Sequence, residues 1–312
     1  MSSSPLPLED ALRVGFITGT PSVEAARRSA ESAEALGFDS LWVGDHIAFP
    51  APILDPLLQL AQVACFSRRL LLGTSVYLLP LRHPVPVAKQ VATLDRLSGG
   101  RLVFGVGVGG EFPGEYAACG VPVGERGARL SEALVLLRQL FRGESAGHPG
   151  CFYPIPPTRL LPLPAQAGGP PIWCGGRSPA ALARCGRLAD GWISYVVTPA
   201  RYRAGLEAIA KAAAGRELRH FGTGHLLFAR IDDSYEAALA AAAEHLSQRY
   251  AMDFRDAARR YAALGRPEDV AGQIEAFREA GVRHLVLDPV GPAADRDAQL
   301  ARFAAEVRPL LA

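Results

Sequence analysis

The chain has 312 residues, 49% of them hydrophobic, with 33 basic against 31 acidic side chains. The length suits one α/β barrel of ~250 residues with insertions, and the apolar share supplies a sizeable core. The near balance of charge excludes a strongly basic nucleic-acid surface or a polybasic membrane patch.

Strand and helix patterns alternate along the chain. Residues 13–18 (RVGFIT) form a short apolar run, and 22–36 carry helical spacing, with Ser22 as a plausible cap and Gly37 after the last turn. A second strand reads over 39–43 and a third over 70–77. The stretch 83–97 reads as a helix, with Pro84 near its first position and Gly99-Gly100 after its end. A fourth strand follows at 102–108, then a long helix at 125–141. Residues 143–170, rich in Gly and Pro, read as an ordered excursion. Strands at 171–174, 191–195 and 224–231 alternate with helices at 179–188, 199–214 and 234–247. A second excursion covers 249–266. A helix at 267–280, a strand at 282–287 and a closing helix at 293–311 complete the pattern. Eight apolar strands alternating with helices predict parallel pairing and a closed (β/α)8 TIM barrel, a single domain over 1–312.

Five cysteines at 65, 119, 151, 174 and 185 form no C-x-x-C, so a reducing, cytoplasmic setting is expected and the thiols read as buried apolar residues. Residues 1–12 lack the pattern of a secretory signal, and no apolar run reaches ~18 residues, so no membrane contact is expected. Lys89 and Lys211 are the only lysines, and the absence of Asn excludes an Asn-linked glycan. H-E-x-x-H, the P-loop and G-x-S-x-G are all missing, as is any H-x-H after the first strand, so no metal site is expected.

In such a barrel, chemistry sits at the C-terminal strand ends. Asp45-His46 follows the second strand. His46 is suited to moving a proton near neutral pH with Asp45 orienting it; the bland alternative is a histidine that caps the strand. Gly175-Gly176-Arg177-Ser178 precedes a helix start, where free N–H groups, the helix dipole and Arg177 favour a phosphate; the alternative is an ordinary turn with Ser178 as N-cap. Residues 105–110 match G-x-G-x-x-G, but Phe112-Pro113-Gly114 delays the helix that a dinucleotide site needs. A glycine-lined strand end beside a flat ring fits Gly107 and Gly109 better. His83 reads as a structural cap, and Trp42, Trp173 and Trp192 as core. The two excursions are the candidate lids and substrate walls.

Taken together these segments resemble a known family. Residues 37–46 (GFDSLWVGDH), 72–76 (LGTSV), 81–84 (LRHP), 88–90 (AKQ), 93–101 (TLDRLSGGR) and 105–109 (GVGVG) resemble the luciferase-like monooxygenase superfamily. Residues 120–122, 125–127, 190–192, 281–282 and 287–291 continue the likeness over nearly the whole chain. The closest resemblance is to members that use coenzyme F420, a deazaflavin; other members use FMN, often reduced by a separate flavin reductase. The resemblance implies a cofactor ring at the barrel mouth and a non-proline cis peptide at Ser75–Val76 supporting it. It implies His46 as the active-site histidine and Gly175, Gly176 and Arg177 as the phosphate turn. Glu111 falls near an acid of sugar-phosphate-oxidising members, though Phe112-Pro113 departs from their pattern. The expected function is F420-dependent hydride transfer on a small organic substrate by a homodimer. An FMN-dependent monooxygenase and a non-catalytic flavin binder are the alternatives.

Overall fold

Continuous apolar runs that alternate with one-sided helices bury both faces of each strand, and a ring is the arrangement that leaves no edge. The computed structural model describes residues 6–8, 10–49, 52–110 and 112–311. The strands are β1 (Arg13–Ile17), β2 (Ser40–Val43), β3 (Leu71–Thr74), β4 (Tyr77–Leu78), β5 (Leu102–Gly107), β6 (Ala146–His148), β7 (Ile155–Thr158), β8 (Ile172–Gly175), β9 (Gly191–Tyr195), β10 (Gly222–Ile231), β11 (Ala263–Gly265) and β12 (His284–Pro289). The parallel ring runs β1, β2, β3 with β4, β5, β8, β9, β10 and β12, and β12 closes it on β1. It is the (β/α)8 barrel expected from the alternation. β6 and β7 form an antiparallel hairpin outside the ring, and β11 lies beside β10.

The helices are α1 (Val23–Ala35), α2 (Pro56–Phe66), α3 (Pro84–Leu97), α4 (Pro113–Ala118), α5 (Arg126–Phe141), α6 (Pro179–Leu188), α7 (Pro199–Ala212), α8 (Tyr235–Tyr250), α9 (Arg255–Tyr261), α10 (Pro267–Glu279) and α11 (Arg296–Arg302). Caps set several of these starts. Ser22, Ser178, Thr198 and Ser234 each accept an N–H from the first turn of their helix, as does His83 through its ring nitrogen, and Pro is the first residue of six of these helices. Helix α2 carries no amphipathic signal, because PLLQLAQVACF is apolar nearly all round and reads as a plain hydrophobic run. Its start is marked only by Asp55, which accepts the N–H groups of Leu57 and Leu58.

The barrel interior is plugged by two indoles. Trp42 and Trp173 lie 5.6 Å apart, and the ring of His284 meets both edge-on at 5.4 Å. Strand glycines make the room: a Cβ on Gly73 would stand 2.1 Å from Trp42, and one on Gly222 would stand 2.1 Å from Trp173. Burying an indole of 150–250 Å2 is worth roughly 4–6 kcal/mol, so this plug is a large part of the core. Trp192 faces outward instead, stacked on Tyr202 at 4.7 Å.

The excursion at 143–170 is ordered, as expected. Glu132 accepts the N–H groups of Cys151, Phe152 and Tyr153, and Asp95 accepts from the backbone and side chain of Gln166. The excursion at 249–266 begins inside α8, which runs three residues past its predicted end at 247. It then forms α9 and β11. The thiols depart from expectation. Cys174 and Cys185 are buried, but Cys65 and Cys151 are exposed and Cys119 is intermediate. Among the described residues no helix is long and apolar enough to cross a membrane.

Candidate functional site

The expected third strand, 70–77, breaks in the middle. Leu72 pairs with Leu102 and Gly73 with Val103, but Tyr77 pairs with Val106 and Leu78 with Gly107. β3 and β4 together thus carry one more residue than β5 across this stretch, which is a bulge. At the bulge the Ser75–Val76 peptide is cis, and it is not followed by proline. The Val76 side chain lies over two glycines. A Cβ on Gly107 would stand 2.3 Å from Val76 Cγ2, and one on Gly175 would stand 3.0 Å from Val76 Cγ1. Gly109, at φ +54°, leaves room for Leu78 in the same way. The glycine-rich end of β5 is therefore shaped first by the bulge beside it.

Above the bulge opens a cavity of about 720 Å3 at the C-terminal end of the strands. That volume lies within the ~300–1,000 Å3 of small-molecule sites. Ser75, Val76, Gly107, Gly109, Gly175 and Gly176 line it, as do Asp45 and His46. Arg177 and Ser178 do not. Ser178 is the N-cap of α6, accepting from Ala181 N–H at 3.3 Å, so its structural reading holds. Arg177 is exposed, with its guanidinium 5.2 Å from the Tyr195 ring centre. The Gly176 carbonyl accepts from Trp192 Nε1 at 2.7 Å, which fastens the turn to the barrel wall.

His46 has a partner that the sequence reading did not name. Its Nδ1 lies 2.9 Å from Glu115 Oε2, in α4, and Glu115 Oε1 accepts the N–H groups of Ile47 at 2.7 Å and Ala48 at 3.0 Å. Glu115 is only 2% exposed. Burial alone would raise its pKa, but the hydrogen bonds from His46, Ala48 and Ile47 more than offset it and hold the carboxyl below its ordinary value. Phe49 stacks on the imidazole at 4.1 Å, and Phe112 meets it edge-on at 5.5 Å. With Nδ1 committed to Glu115, Nε2 is the ring nitrogen left for a cavity ligand. No turn signal or repeat links positions 46 and 115. The short helix starting at Pro113, not marked in the sequence reading, brings them together.

Asp45 does not orient His46, contrary to the sequence reading. Its carboxylate takes a forked pair from Arg82, with Nη1 at 2.5 Å and Nη2 at 2.9 Å, and the N–H of Leu78 at 2.8 Å. Its side chain is fully buried. Burial works against the Arg82 cation, yet the hydrogen bond and charge of Asp45 hold its pKa above the ordinary value. Asp45 thus ties the loop after β2 to the bulge and positions the site indirectly. Glu111 lies outside the described residues.

The far side of the cavity comes from β9, β10, β12, α8 and the start of α11. Arg249, Tyr250, Asp288 and Arg296 line it together with Phe228 and Tyr195. No described residue of 143–170 does, so that excursion is not a wall of this cavity. The loop after β2, with Phe49, Ile53 and Leu54, fills that role. Among the described residues no three His, Cys, Asp or Glu side chains gather as a metal site would require.

Residues 11–305 match the family model described as luciferase-like monooxygenase. The chain belongs to the luciferase-like monooxygenase family. Within it, an F420-dependent glucose-6-phosphate dehydrogenase of Nakamurella multipartita is 31% identical over 90% of this chain and 91% of its own length. An uncharacterised protein of Mycobacterium tuberculosis is 35% identical, but the match spans only 62% of that relative's length and 53% of this chain. The fold is shared with an F420-dependent secondary alcohol dehydrogenase solved with an F420–acetone adduct, at a TM-score of 0.84, 20% identity, and 97% and 99% coverage. In this family member the bulge, the glycines beside it and the His46–Glu115 pair converge on one cavity.

Proposed function

We propose that the chain is an oxidoreductase that binds coenzyme F420 at the barrel mouth and exchanges hydride with a small organic substrate, with His46 as its proton carrier. The observation that carries this reading is the His46–Glu115 pair, 2.9 Å apart, at the wall of a largely apolar cavity floored by the bulge. The F420-dependent relative that aligns over nine-tenths of both chains supports the choice of cofactor.

The residues present fit a flat tricyclic ring. Ser75, Val76, Gly107 and Gly109 provide a floor of small groups, and Phe49 and Phe112 provide an apolar wall. Gly175 and Gly176, before the first turn of α6, would take the phosphate, with Arg177 adding a fixed charge nearby. When bound, a deazaflavin supplies a carbon that accepts or releases hydride; the protein supplies position and electrostatics. His46 Nε2 gives or takes the proton at the substrate heteroatom. Glu115 holds the ring in register and balances the charge of the imidazolium when it forms. The apolar walls keep bulk water from the reacting atoms.

Titration of the purified protein with F420 and with FMN, followed by fluorescence, tests the reading. Micromolar affinity for F420 and much weaker affinity for FMN is the expected result. The reverse preference favours an FMN-dependent monooxygenase, with reduced flavin and O2 as the next assay. Binding of neither overturns both cofactor readings.

A further inference from the structure

The wall of the same cavity that carries His46 also holds one carboxylate beside two guanidiniums. Arg249 grips Asp288 with Nη1 at 2.5 Å from Oδ2 and Nη2 at 3.3 Å from Oδ1, while Arg296 Nη1 stands 3.9 Å from the same Oδ1. Asp288 is 6% exposed, and Arg296 Nη2 is buried with no hydrogen-bond partner among the described residues. Among the groups of this wall that line the cavity, one negative charge stands against two positive; Asp297, which does not line it, also acts on Arg296. His245 adds no anion: its Nε2 lies 2.8 Å from Arg249 Nη2. Its pKa is lowered by burial first, then by Arg249, with Arg296 acting the same way. The two arginines differ. Burial works against both cations, but Asp288 together with Tyr250 outweighs it for Arg249, while Asp288 does not for Arg296, whose pKa stays below its ordinary value. A buried guanidinium N–H without an acceptor costs ~1–3 kcal/mol or more, and such groups usually have a partner.

We propose that an oxyanion of the substrate completes this cluster: the site takes an amphipathic acid, its carboxylate or phosphate against the Arg296 guanidinium where that side chain lines the cavity, and its apolar body along Phe228 and Tyr250. Resting on the mouth as active site, the inference names the class of substrate. Arg296 also sets polarity, because an acid anchored there can present its other end towards His46. A neutral analogue of equal size leaves Arg296 unpaired, so discrimination against it is strong.

The test is calorimetric titration of the full chain, with and without F420, using hexanoate, hexyl phosphate and neutral hexanamide. The expected result is binding of one or both anions at least tenfold tighter than hexanamide. Arg296→Gln should remove that difference, and Arg296→Lys should restore part of it, with F420 affinity unchanged. The stronger anion identifies carboxylate or phosphate as the natural headgroup. Equal binding of hexanamide and the anions overturns the proposal. So does an Arg296→Gln protein that loses F420 affinity instead, since the oxyanion is then the cofactor's own. Circular dichroism of both variants checks folding, and the lysine variant decides if glutamine fails to fold. Arg296-dependent anion binding by a chain that binds neither F420 nor FMN would leave this inference standing and remove the cofactor reading.

Discussion

Glu115 Oε2 holds Nδ1 of His46 at 2.9 Å, and its other oxygen receives the two N–H groups that follow His46 in the chain. One buried carboxylate thus fixes both the ring and the loop that carries it. Glu115→Gln keeps an oxygen for those N–H groups but removes the charge. We expect near-normal cofactor affinity and at least tenfold slower turnover of any substrate the parent chain accepts. His46→Ala should cost about 10²–10⁴-fold. Full turnover in the His46→Ala protein would dismiss the histidine from catalysis.

The same carboxylate has a signature in acid. Its folded pKa is lowered, so its contribution to stability is complete above the ordinary glutamate range and is lost as pH falls through the lower, folded value. Denaturant titrations below pH 4.5 should show a shallower acid loss in Glu115→Gln than in the parent chain.

Asp45 and Arg82 form a buried pair, the carboxylate fully covered and the guanidinium 18% exposed. Removing Asp45 leaves Arg82 only the more distant and more exposed Asp55, 3.7 Å away, at a cost of roughly 3 kcal/mol or more. Asp45→Asn should lower the urea midpoint accordingly. The double variant Asp45→Asn, Arg82→Met should recover much of the loss. Equal loss in single and double variants would show that the charge pairing is not what matters there.

Gly107 and Val76 interlock, and a Cβ at 107 would stand 2.3 Å from Val76 Cγ2. Gly107→Ala should destabilise by about 1–3 kcal/mol, as overpacking does, and weaken cofactor binding through the displaced floor. Val76→Ala in the same chain should relieve most of both effects. The double-mutant cycle measures that coupling directly.

His225 and His284 are buried and held down to about 3, by burial first; Arg13 adds to the effect at His284. Because the folded values lie below the unfolded value near 6.5, both rings stay neutral in the fold, while unfolded chains take up protons first. Stability should therefore be full above pH 6.5 and decline from there towards pH 3. The slope should approach ~1.4 kcal/mol per pH unit for each ring. Between pH 6.5 and 4.5 few carboxylates titrate, so His284→Gln should reduce the slope there by about one proton.

Much of this molecule is legible without coordinates. The barrel follows from strands apolar on both faces, and the helix starts from Ser22, Ser178 and Ser234, whose side chains act within three residues of themselves. Those caps survive in one dimension because their physics is short in range, whereas the cis peptide at Ser75–Val76 and the role expected of His46 came from the family resemblance of residues 37–46 and 72–76. Helix α2 was lost because a run apolar all round has no period to read. Asp45 was assigned to its chain neighbour His46, but a charged group buried by the closing barrel pairs with whatever cation is buried beside it. That cation is Arg82, 37 positions away. Glu115 reaches His46 across 69 positions, and Asp288 reaches Arg249 across 39. No periodicity encodes such pairs: ring closure brings the loops to one end of the barrel, and burial makes each charge find its partner there.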